Sequence, residues 1–458
     1  MSQQKYNQVL AKEFCQNKKY RDTLLYVDET DNFFLYDEEK NYWRMFDYKD
    51  LEKIVYAYTA NEKNITERVV KDIIYNIKMN VFHRTDKIFS KYTSIKDGIL
   101  NMETFELEKP DRRKHVCHYL PINYRHIKDT TFVPTNFYKF LQEIMIDEND
   151  KPNTKLMFIL QEMFGFYLIH EMNPEKVFFL VGKGANGKSV VLNILKHIIG
   201  REFCSASSIE YLTTNQFALP SLVGKKLNLC NEEESKFMKS DKFKAIVSGD
   251  MVSAVRKFGN TFEFEPTTKF LFASNEMPSF SEVNEGIKRR ITIIPFNKFV
   301  EEKDRDLRMR SELGLNSDNP FNMEVEQIIC WGLRGAMRLK AQNYKFTDSK
   351  LINDTMIMFE NTVSSALMFA REKYEVNEGG FIANIDLYSI YKEWCFTSGK
   401  KPMNKTRFGK DITNNIYGIK STRQYDRSTS NVVRGRNLID KIVDKVDEEN
   451  KEKLNFKY

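Results

Sequence analysis

The sequence predicts an α/β chain built around a parallel sheet, and three observations carry that prediction. Gly182-Lys183-Gly184-Ala185-Asn186-Gly187-Lys188-Ser189 satisfies the phosphate-loop spacing G-x-x-x-x-G-K-[ST] at every fixed position. An apolar run from Val177 to Val181 precedes it, and a helical run from Val190 to Ile199, stopped by Gly200, follows it. That is the strand-loop-helix setting such a loop needs. Further β-type runs, Leu227 to Cys230, Phe270 to Ala273 and Ile291 to Ile294, alternate with helical stretches, the pattern of parallel strands joined by helices.

Composition narrows the class. The 458 residues suit about three domains. With 19 Gly and 11 Pro, collagenous and low-complexity readings are excluded, and 41% apolar residues suffice for real cores. Mean hydropathy is −0.53, and every apolar run falls far short of the roughly 20 residues of a membrane span. Met1 to Tyr20 is rich in Lys, Gln and Asn and holds no continuous apolar stretch, so no secretory signal is read and a cytoplasmic location is expected. The six cysteines (Cys15, Cys117, Cys204, Cys230, Cys330, Cys395) form no C-x-x-C, which argues against a disulfide framework and a zinc cluster. A net charge of +7, spread over a chain of this size, does not by itself mark a nucleic-acid binder.

Taken in order, residues 1–97 form an α+β region. Phe33 to Tyr36 and Tyr42 to Phe46 flank the turn-prone Asp37 to Asn41 as a β-hairpin, and Leu51 to Met79 has helical spacing. Residues 98–172 begin with short extended pieces as far as Pro121 and then turn helical. Phe137, Phe140, Leu141 and Ile144, and then Met157, Leu160 and Met163, recur three and four apart. Residues 173–345 hold the α/β core, residues 346–440 a mostly helical and basic end, and residues 441–458 a charged tail.

The loop's residue types follow from its chemistry. Glycines let the backbone wrap closely, so that successive N–H groups at a helix N-terminus point at a phosphate. Gly182, Gly184, Ala185, Asn186, Gly187, Lys188, Ser189 and Val190 are therefore the nucleotide-binding candidates. Lys188 supplies charge to the β and γ phosphates of ATP, and the Ser189 hydroxyl ligates Mg²⁺. Hydrolysis also needs carboxylates at a strand end. The strand from Lys226 to Asn231 runs into Glu232-Glu233-Glu234, with Glu232 the expected second Mg²⁺ ligand, while the division of labour among the three stays open. Asn275, after the strand from Lys269 to Ala273, is either a sensor of the γ-phosphate and attacking water or a capping Asn before Pro278. Lys288-Arg289-Arg290 precedes the run Ile291 to Phe296, and an arginine there suits transition-state charge, in its own site or a neighbour's.

This ordered set resembles the superfamily 3 helicases, specifically the helicase part of phage, plasmid and poxvirus-type primase-helicases. Asp97 to Glu103 and Leu120 to Tyr124 resemble the helical domain preceding the ATPase in that family. Ala185-Asn186-Gly187-Lys188-Ser189 is typical of its loop, and Lys244 to Asp250 followed by Arg256 is similar to its helicase motif. Phe272 to Pro278 is similar to its sensor strand, and Arg290, by its place before Ile294-Pro295-Phe296, matches its arginine finger. The resemblance implies an AAA+-type core with a preceding helical domain and a C-terminal winged-helix domain. It also implies ring assembly, usually as a hexamer, and 3′ to 5′ translocation on single-stranded DNA during replication of a mobile element.

DNA contacts are expected in two places. Val252 to Phe264 reads as a hairpin with Gly259 at positive φ, and Arg256, Lys257 and Phe258 suit phosphate contact and base stacking there. Lys244, in the helicase motif, is a further candidate, and an ordinary surface hairpin is the competing reading. At the C-terminal end, Phe381 to Trp394, Asn404 to Thr413, Tyr417 to Lys420 and Asn431 to Val433 follow the order strand-helix, helix, wing strands. From Lys400 to Arg436 there are ten Lys and Arg against two Asp, and the rest of the chain, 61 basic against 62 acidic, is nearly neutral. Lys405, Arg407, Lys410, Arg423, Arg427, Arg434 and Arg436 are therefore candidates for salt-dependent contact with forked or duplex origin DNA.

A packaging motor would lack the Ser248-Gly249-Asp250 motif and the hairpin. A replication initiator or loader that uses ATP as an assembly switch stays open as the alternative. The roughly 97 residues before the helical region are too few for the usual primase-polymerase domain, so a separate primase or polymerase is an expected partner.

Overall fold

The computed structural model describes residues 2–440 apart from 29, 47, 63, 85–88, 171–174, 232–239, 258, 281–283, 315–317, 417 and 427–430, with the backbone alone for 82–84, 240, 426 and 431. The expected charged tail lies outside the described residues. Two compact units emerge, one of residues 1–234, 241–276 and 290–352, the other of residues 235–240, 277–289 and 353–458.

The first unit holds a five-stranded sheet of β1 (Val177–Val181), β2 (Cys204–Ser205), β3 (Leu227–Cys230), β4 (Lys269–Ser274) and β5 (Ile291–Pro295), in the order β5-β1-β4-β3-β2. Every pairing is parallel. All residues of β1, β3, β4 and β5 are buried, which is why these strands read as continuous apolar runs rather than alternating ones. Pro295 closes β5 on an edge of the sheet, where its missing N–H is tolerated. The two-residue β2 has no signature of its own in the sequence.

The helix Thr154–Leu168 is buried on every side from Ile159 onward and packs along the helix Val325–Ala341. Glycines set the approach of these two helices. A Cβ on Gly165 would stand 2.2 Å from the Ala336 nitrogen, and one on Gly335 would stand 2.2 Å from the Gln161 oxygen. Glu162, with no exposed surface, accepts from Arg338 Nε (2.8 Å), Thr347 N (2.8 Å) and Thr347 Oγ1 (2.6 Å). A buried carboxylate is tolerable only when satisfied in this way.

Two buried lysines then join this helix to the sheet. Lys226 Nζ, just before β3, donates to the Leu168 carbonyl (2.7 Å), and Lys269 Nζ, at the start of β4, donates to that of Ile169 (2.8 Å). Both answer the unsatisfied carbonyls at the negative end of the helix.

Toward the N-terminus, a four-stranded sheet has the order Tyr42–Phe46, Asn32–Asp37, Leu24–Val27, Phe82–Arg84. The expected hairpin forms, with Phe33 opposite Phe46 and Asp37 opposite Tyr42. Helices Gln3–Gln16, Tyr48–Tyr58 and Glu67–Asn80 accompany it, with Phe14, Tyr26, Ile74 and Ile77 in their shared core. The first of these helices was not read from the sequence. The boundary placed at 97/98 falls inside a hairpin turn, because Tyr92–Ile95 and Gly98–Asn101 pair with Ile95 opposite Gly98.

In the second unit, the helices Ser365–Lys373, Asn384–Thr397 and Lys405–Asn415 enclose Phe369, Tyr391, Trp394 and Phe408. A three-stranded antiparallel sheet has the order Ile382–Ala383, Asn431–Arg436, Ser421–Asp426. The first strand of this hairpin begins at Ser421, beyond the Tyr417 to Lys420 stretch proposed from the sequence. Lys420 N is instead tied to the Asn437 side chain, which caps the approach to the strand.

Candidate functional site

The loop between β1 and the helix Lys188–Ile199 stands at the carboxyl end of the parallel sheet, the usual location of ligand sites in such sheets. Its base is fastened to both neighbouring strands: Gly182 N donates to the Ser274 carbonyl (3.2 Å), and Phe296 N donates to that of Val181 (2.7 Å). Gly182 is sterically required, since a Cβ there would lie 2.2 Å from the Phe296 oxygen. Gly187 sits at φ +88°, and Ala185 takes a left-handed φ of +56° without being glycine. Gly184 has open space around it, so its absent side chain keeps the cleft clear. Asn186 is buried, and its Nδ2 donates to the carbonyls of Lys183 and Phe296, both at 3.0 Å. Its role here is to hold the loop's shape.

Lys188 is only 6% exposed. Its ammonium donates to the Gly182 carbonyl, to Asn186 Oδ1 (3.0 Å) and to Asn275 Oδ1 (3.5 Å), and burial lowers its pKa below the ordinary lysine value. The chain thus brings Asn275, 87 residues away, against the loop lysine. The register explains it: Ser274, the last residue of β4, lies opposite Val181, the last residue of β1. Gly184, Ala185, Asn186, Gly187, Lys188, Ser189, Val190, Asn193, Asn231, Ala273, Ser274, Asn275 and Arg310 line a cleft of about 470 Å³.

Among the described residues no group of three or more His, Cys, Asp or Glu stands ready to hold a metal alone. A nucleotide-borne Mg²⁺ needs fewer protein ligands, because phosphate oxygens and water complete its shell. Ser189, exposed at the cleft, fits such a role. Glu232, Glu233 and Glu234 lie outside the described residues, although Asn231 immediately before them lines the cleft.

Arg290 is not presented on an edge within this chain. Its guanidinium is 2.6 Å from Glu175 and donates to Ser248 Oγ, which in turn donates to Glu175 (3.2 Å). Ser248, picked out in the sequence as part of a motif, is therefore a ligand of Arg290.

Of the expected DNA-hairpin residues, the strands Val252–Val255 and Thr261–Phe264 form with Val255 opposite Thr261. Gly259 does not use the positive φ open to a glycine there, and its N–H closes a turn onto the Arg256 carbonyl (2.9 Å). Arg256 lies 3.9 Å from Asp31 and over the Phe262 ring, so it is drawn toward the N-terminal sheet rather than left at a tip. Lys244 pairs with Asp241 (2.8 Å). Lys257 is exposed, and Phe258 lies outside the described residues.

In the basic end, Lys405, Lys410, Arg423 and Arg434 are exposed and Arg407 is half-buried, while Arg427 lies outside the described residues. Arg436 is committed internally: it donates to Thr413 Oγ1 (2.9 Å) and Ser421 Oγ (3.3 Å), and burial lowers its pKa. Arg310, absent from the expectations, lines the cleft because the segment after β5 folds back over the loop. No recognised motif marks it in the sequence.

Three family profiles match the chain: "D5 N terminal like" over residues 11–146, "Family of unknown function (DUF5906)" over residues 180–290, and "Poxvirus D5 protein-like" over residues 353–442. "Putative helicase L207/L206" of Acanthamoeba polyphaga mimivirus is 27% identical over 209 residues, 43% of this chain and 21% of that protein. "Putative helicase 121R" of Invertebrate iridescent virus 3 is 24% identical over 381 residues, 76% of this chain and 39% of that protein. The chain therefore spans well under half the length of these relatives. The apo structure of the NrS-1 C terminal region aligns over 94% of this chain and 99% of its own, at 13% identity and a TM-score of 0.46.

The structure defines a mixed α/β protein with a parallel sheet at its centre and a glycine-rich loop at that sheet's carboxyl end. The two D5-type profiles and the viral relatives named as putative helicases support a D5-type primase-helicase family, with whose helicase part the chain is consistent. Among the described residues, no helix is long and apolar enough to cross a membrane.

Proposed function

We propose that this chain is an ATP-dependent DNA helicase of the superfamily 3 type, working in replication of a mobile element as a ring, usually a hexamer, that moves 3′ to 5′ on single-stranded DNA. The observation that carries this reading is the meeting of Lys188 and Asn275 at one end of the parallel sheet. The strand order supports an AAA+-type core, since it sets the loop strand β1 between β4, which carries Asn275, and β5, which follows Arg290.

In this reading ATP enters the cleft with its terminal phosphates on the loop N–H groups and on Lys188. Ser189 and the carboxylates after Asn231 would hold Mg²⁺, which neutralises charge on the terminal phosphates. Asn275, hydrogen-bonded to Lys188, orients the attacking water or the γ-phosphate. Arg290 of an adjacent subunit meets the charge that develops during transfer. Lys257 and Phe258 contact the strand in the ring's channel, and the C-terminal helices with their hairpin serve as a winged-helix module on duplex or origin DNA.

The engagement of Arg290 by Glu175 favours a second reading, an ATP-switched initiator or loader in which that arginine changes partners on assembly. Forked substrates with opposite tails, combined with mass measurement with and without DNA, decide between the two. Strand displacement from a 3′-tailed fork is the expected result. ATP hydrolysis with no displacement in either polarity would sink the helicase reading and leave the initiator.

A further inference from the structure

The segment between β5 and the helix Val325–Ala341 carries three arginines within six positions, Arg305, Arg308 and Arg310. Two of them are committed to their own segment. Arg305 Nε donates to the Val300 carbonyl (2.9 Å), and its guanidinium lies over the Phe299 ring. Arg308 makes a two-pronged pair with Asp306 (2.9 and 2.8 Å). Among the described residues, the Arg310 guanidinium has no hydrogen-bond, carboxylate or ring partner, and the residue is exposed. It lines the Lys188 cleft, where it and Lys188 are the only cations among the described lining residues.

The backbone around Arg310 is nonetheless fixed. Its carbonyl accepts from Asn193 Nδ2 (3.4 Å), on the helix that begins at Lys188. Asn319 Nδ2 donates to the carbonyls on either side, those of Met309 (3.3 Å) and Ser311 (2.8 Å). Further upstream, Val300 N donates to the Ala185 carbonyl (2.9 Å), so the segment rides on the phosphate loop itself. A rigid mount carrying an unpartnered guanidinium toward a phosphate cleft is the arrangement that binds an anion at little ordering cost.

Arg310 also lines a second, smaller cavity of about 90 Å³ beside the loop, whose apolar wall includes Phe140, Ile144, Val190 and Met309. It thus stands at the junction of a polar cleft suited to phosphates and a notch whose apolar wall suits a flat heterocycle and whose lining also includes Glu143, Asp304 and Asp306. We infer that Arg310 is a nucleotide-positioning residue, acting in its own subunit's site on the stretch of a nucleoside di- or triphosphate between the base and the terminal phosphates. This inference rests on the nucleotide-binding part of the proposed function and adds a contact that the loop motif does not contain.

The test is titration of the full chain with fluorescent ADP and ATP analogues, alongside thermal melting with and without nucleotide. Arg310→Ala is expected to weaken ADP and ATP binding to a similar degree, by tenfold or more, and to shrink the nucleotide-induced rise in melting temperature. Its melting temperature without nucleotide should match wild type, Arg310→Lys should recover part of the affinity, and Arg308→Ala should bind as wild type does. Unchanged binding by Arg310→Ala would overturn the inference, as would a loss confined to ATP, which would move the contact to the γ-phosphate. If wild type binds neither analogue, the nucleotide site itself fails, an outcome distinct from either of these.

Discussion

Arg290 and Glu175 form an ion pair of 2.6 Å in which the arginine keeps only 6% of its surface exposed. Ser248, at the end of the helix Ser240–Ser248, bridges the two. A buried arginine without such partners would be strongly unfavourable, so the pair has a structural value separate from any role in hydrolysis.

That double character sets the first prediction. Arg290→Ala should abolish ATP hydrolysis, and rings mixed with Lys188→Ala subunits should regain part of it, because the two lesions can then fall in different sites. Glu175→Gln, which weakens the pair but keeps the arginine, should retain hydrolysis. A large fall in melting temperature for Arg290→Ala with no recovery in mixtures would reduce Arg290 to a structural partner of Glu175.

Lys188→Ala should remove ATP hydrolysis and unwinding while leaving the far-ultraviolet spectrum unchanged. Among the described residues, Lys188 hydrogen-bonds the loop's own groups and Asn275 alone, so its replacement removes few contacts of the fold. Assays of hydrolysis with and without single-stranded DNA check it, and residual DNA-stimulated turnover above a few per cent would contradict it.

The crossing of the helices Thr154–Leu168 and Val325–Ala341 predicts intolerance at Gly165 and Gly335, where an added Cβ meets backbone atoms at 2.2 Å. Either Gly→Ala change should destabilise the first unit by about 1–3 kcal/mol, the usual cost of overpacking. Chemical denaturation reads it, and an unchanged midpoint would show that the helices separate freely.

Stability should depend on pH through Lys226. Burial lowers its ammonium pKa to about 7, whereas an unfolded lysine keeps its proton up to about 10.4. Between those values the unfolded chain binds the extra proton, so stability rises with pH; below about 7 both states are protonated and this contribution is flat. Burial, and then the charge of Lys226, hold neighbouring His118 well below the ordinary histidine value, so it stays neutral in the folded chain; Cys204, raised to about 12 by burial, ionises only in the unfolded chain above about 8.5 and works against the rise, a contribution that comparison with Lys226→Met cancels. Melting temperatures from pH 7 to 9 should climb more steeply for wild type than for Lys226→Met. Parallel curves would refute this.

At the basic end, replacing Lys405, Lys410 and Arg434 together by Ala should weaken duplex binding and flatten its dependence on salt. Every cation removed from a phosphate lowers the slope of log K against log salt by about 0.9. A salt slope identical to that of wild type would show that these three side chains do not face the duplex. Arg436→Ala should instead lower the melting temperature, since its side chain braces the hairpin against Thr413.

Several features were readable from residues in order. The loop from Gly182 to Ser189 and the strands β1, β3, β4 and β5 announce themselves because chain-local chemistry, a glycine spacing or an unbroken apolar run, suffices to specify them. The concentration of positive charge from Lys400 to Arg436 was equally plain from counting. Partnership was not readable, because it depends on atoms far apart in the chain. The sequence alone left Asn275 between a sensor and a cap, and the register of β4 against β1 sets it beside Lys188. Arg290 matched an exposed finger by position, yet the fold turns it onto Glu175 and Ser248. Arg310 carries no motif at all, and it reaches the cleft only because an irregular segment folds back onto Asn193 and Ala185. Local pattern determined which groups this protein has for phosphate and DNA, and long-range packing decided which of them are free to act, since a buried charge must first satisfy its own surroundings.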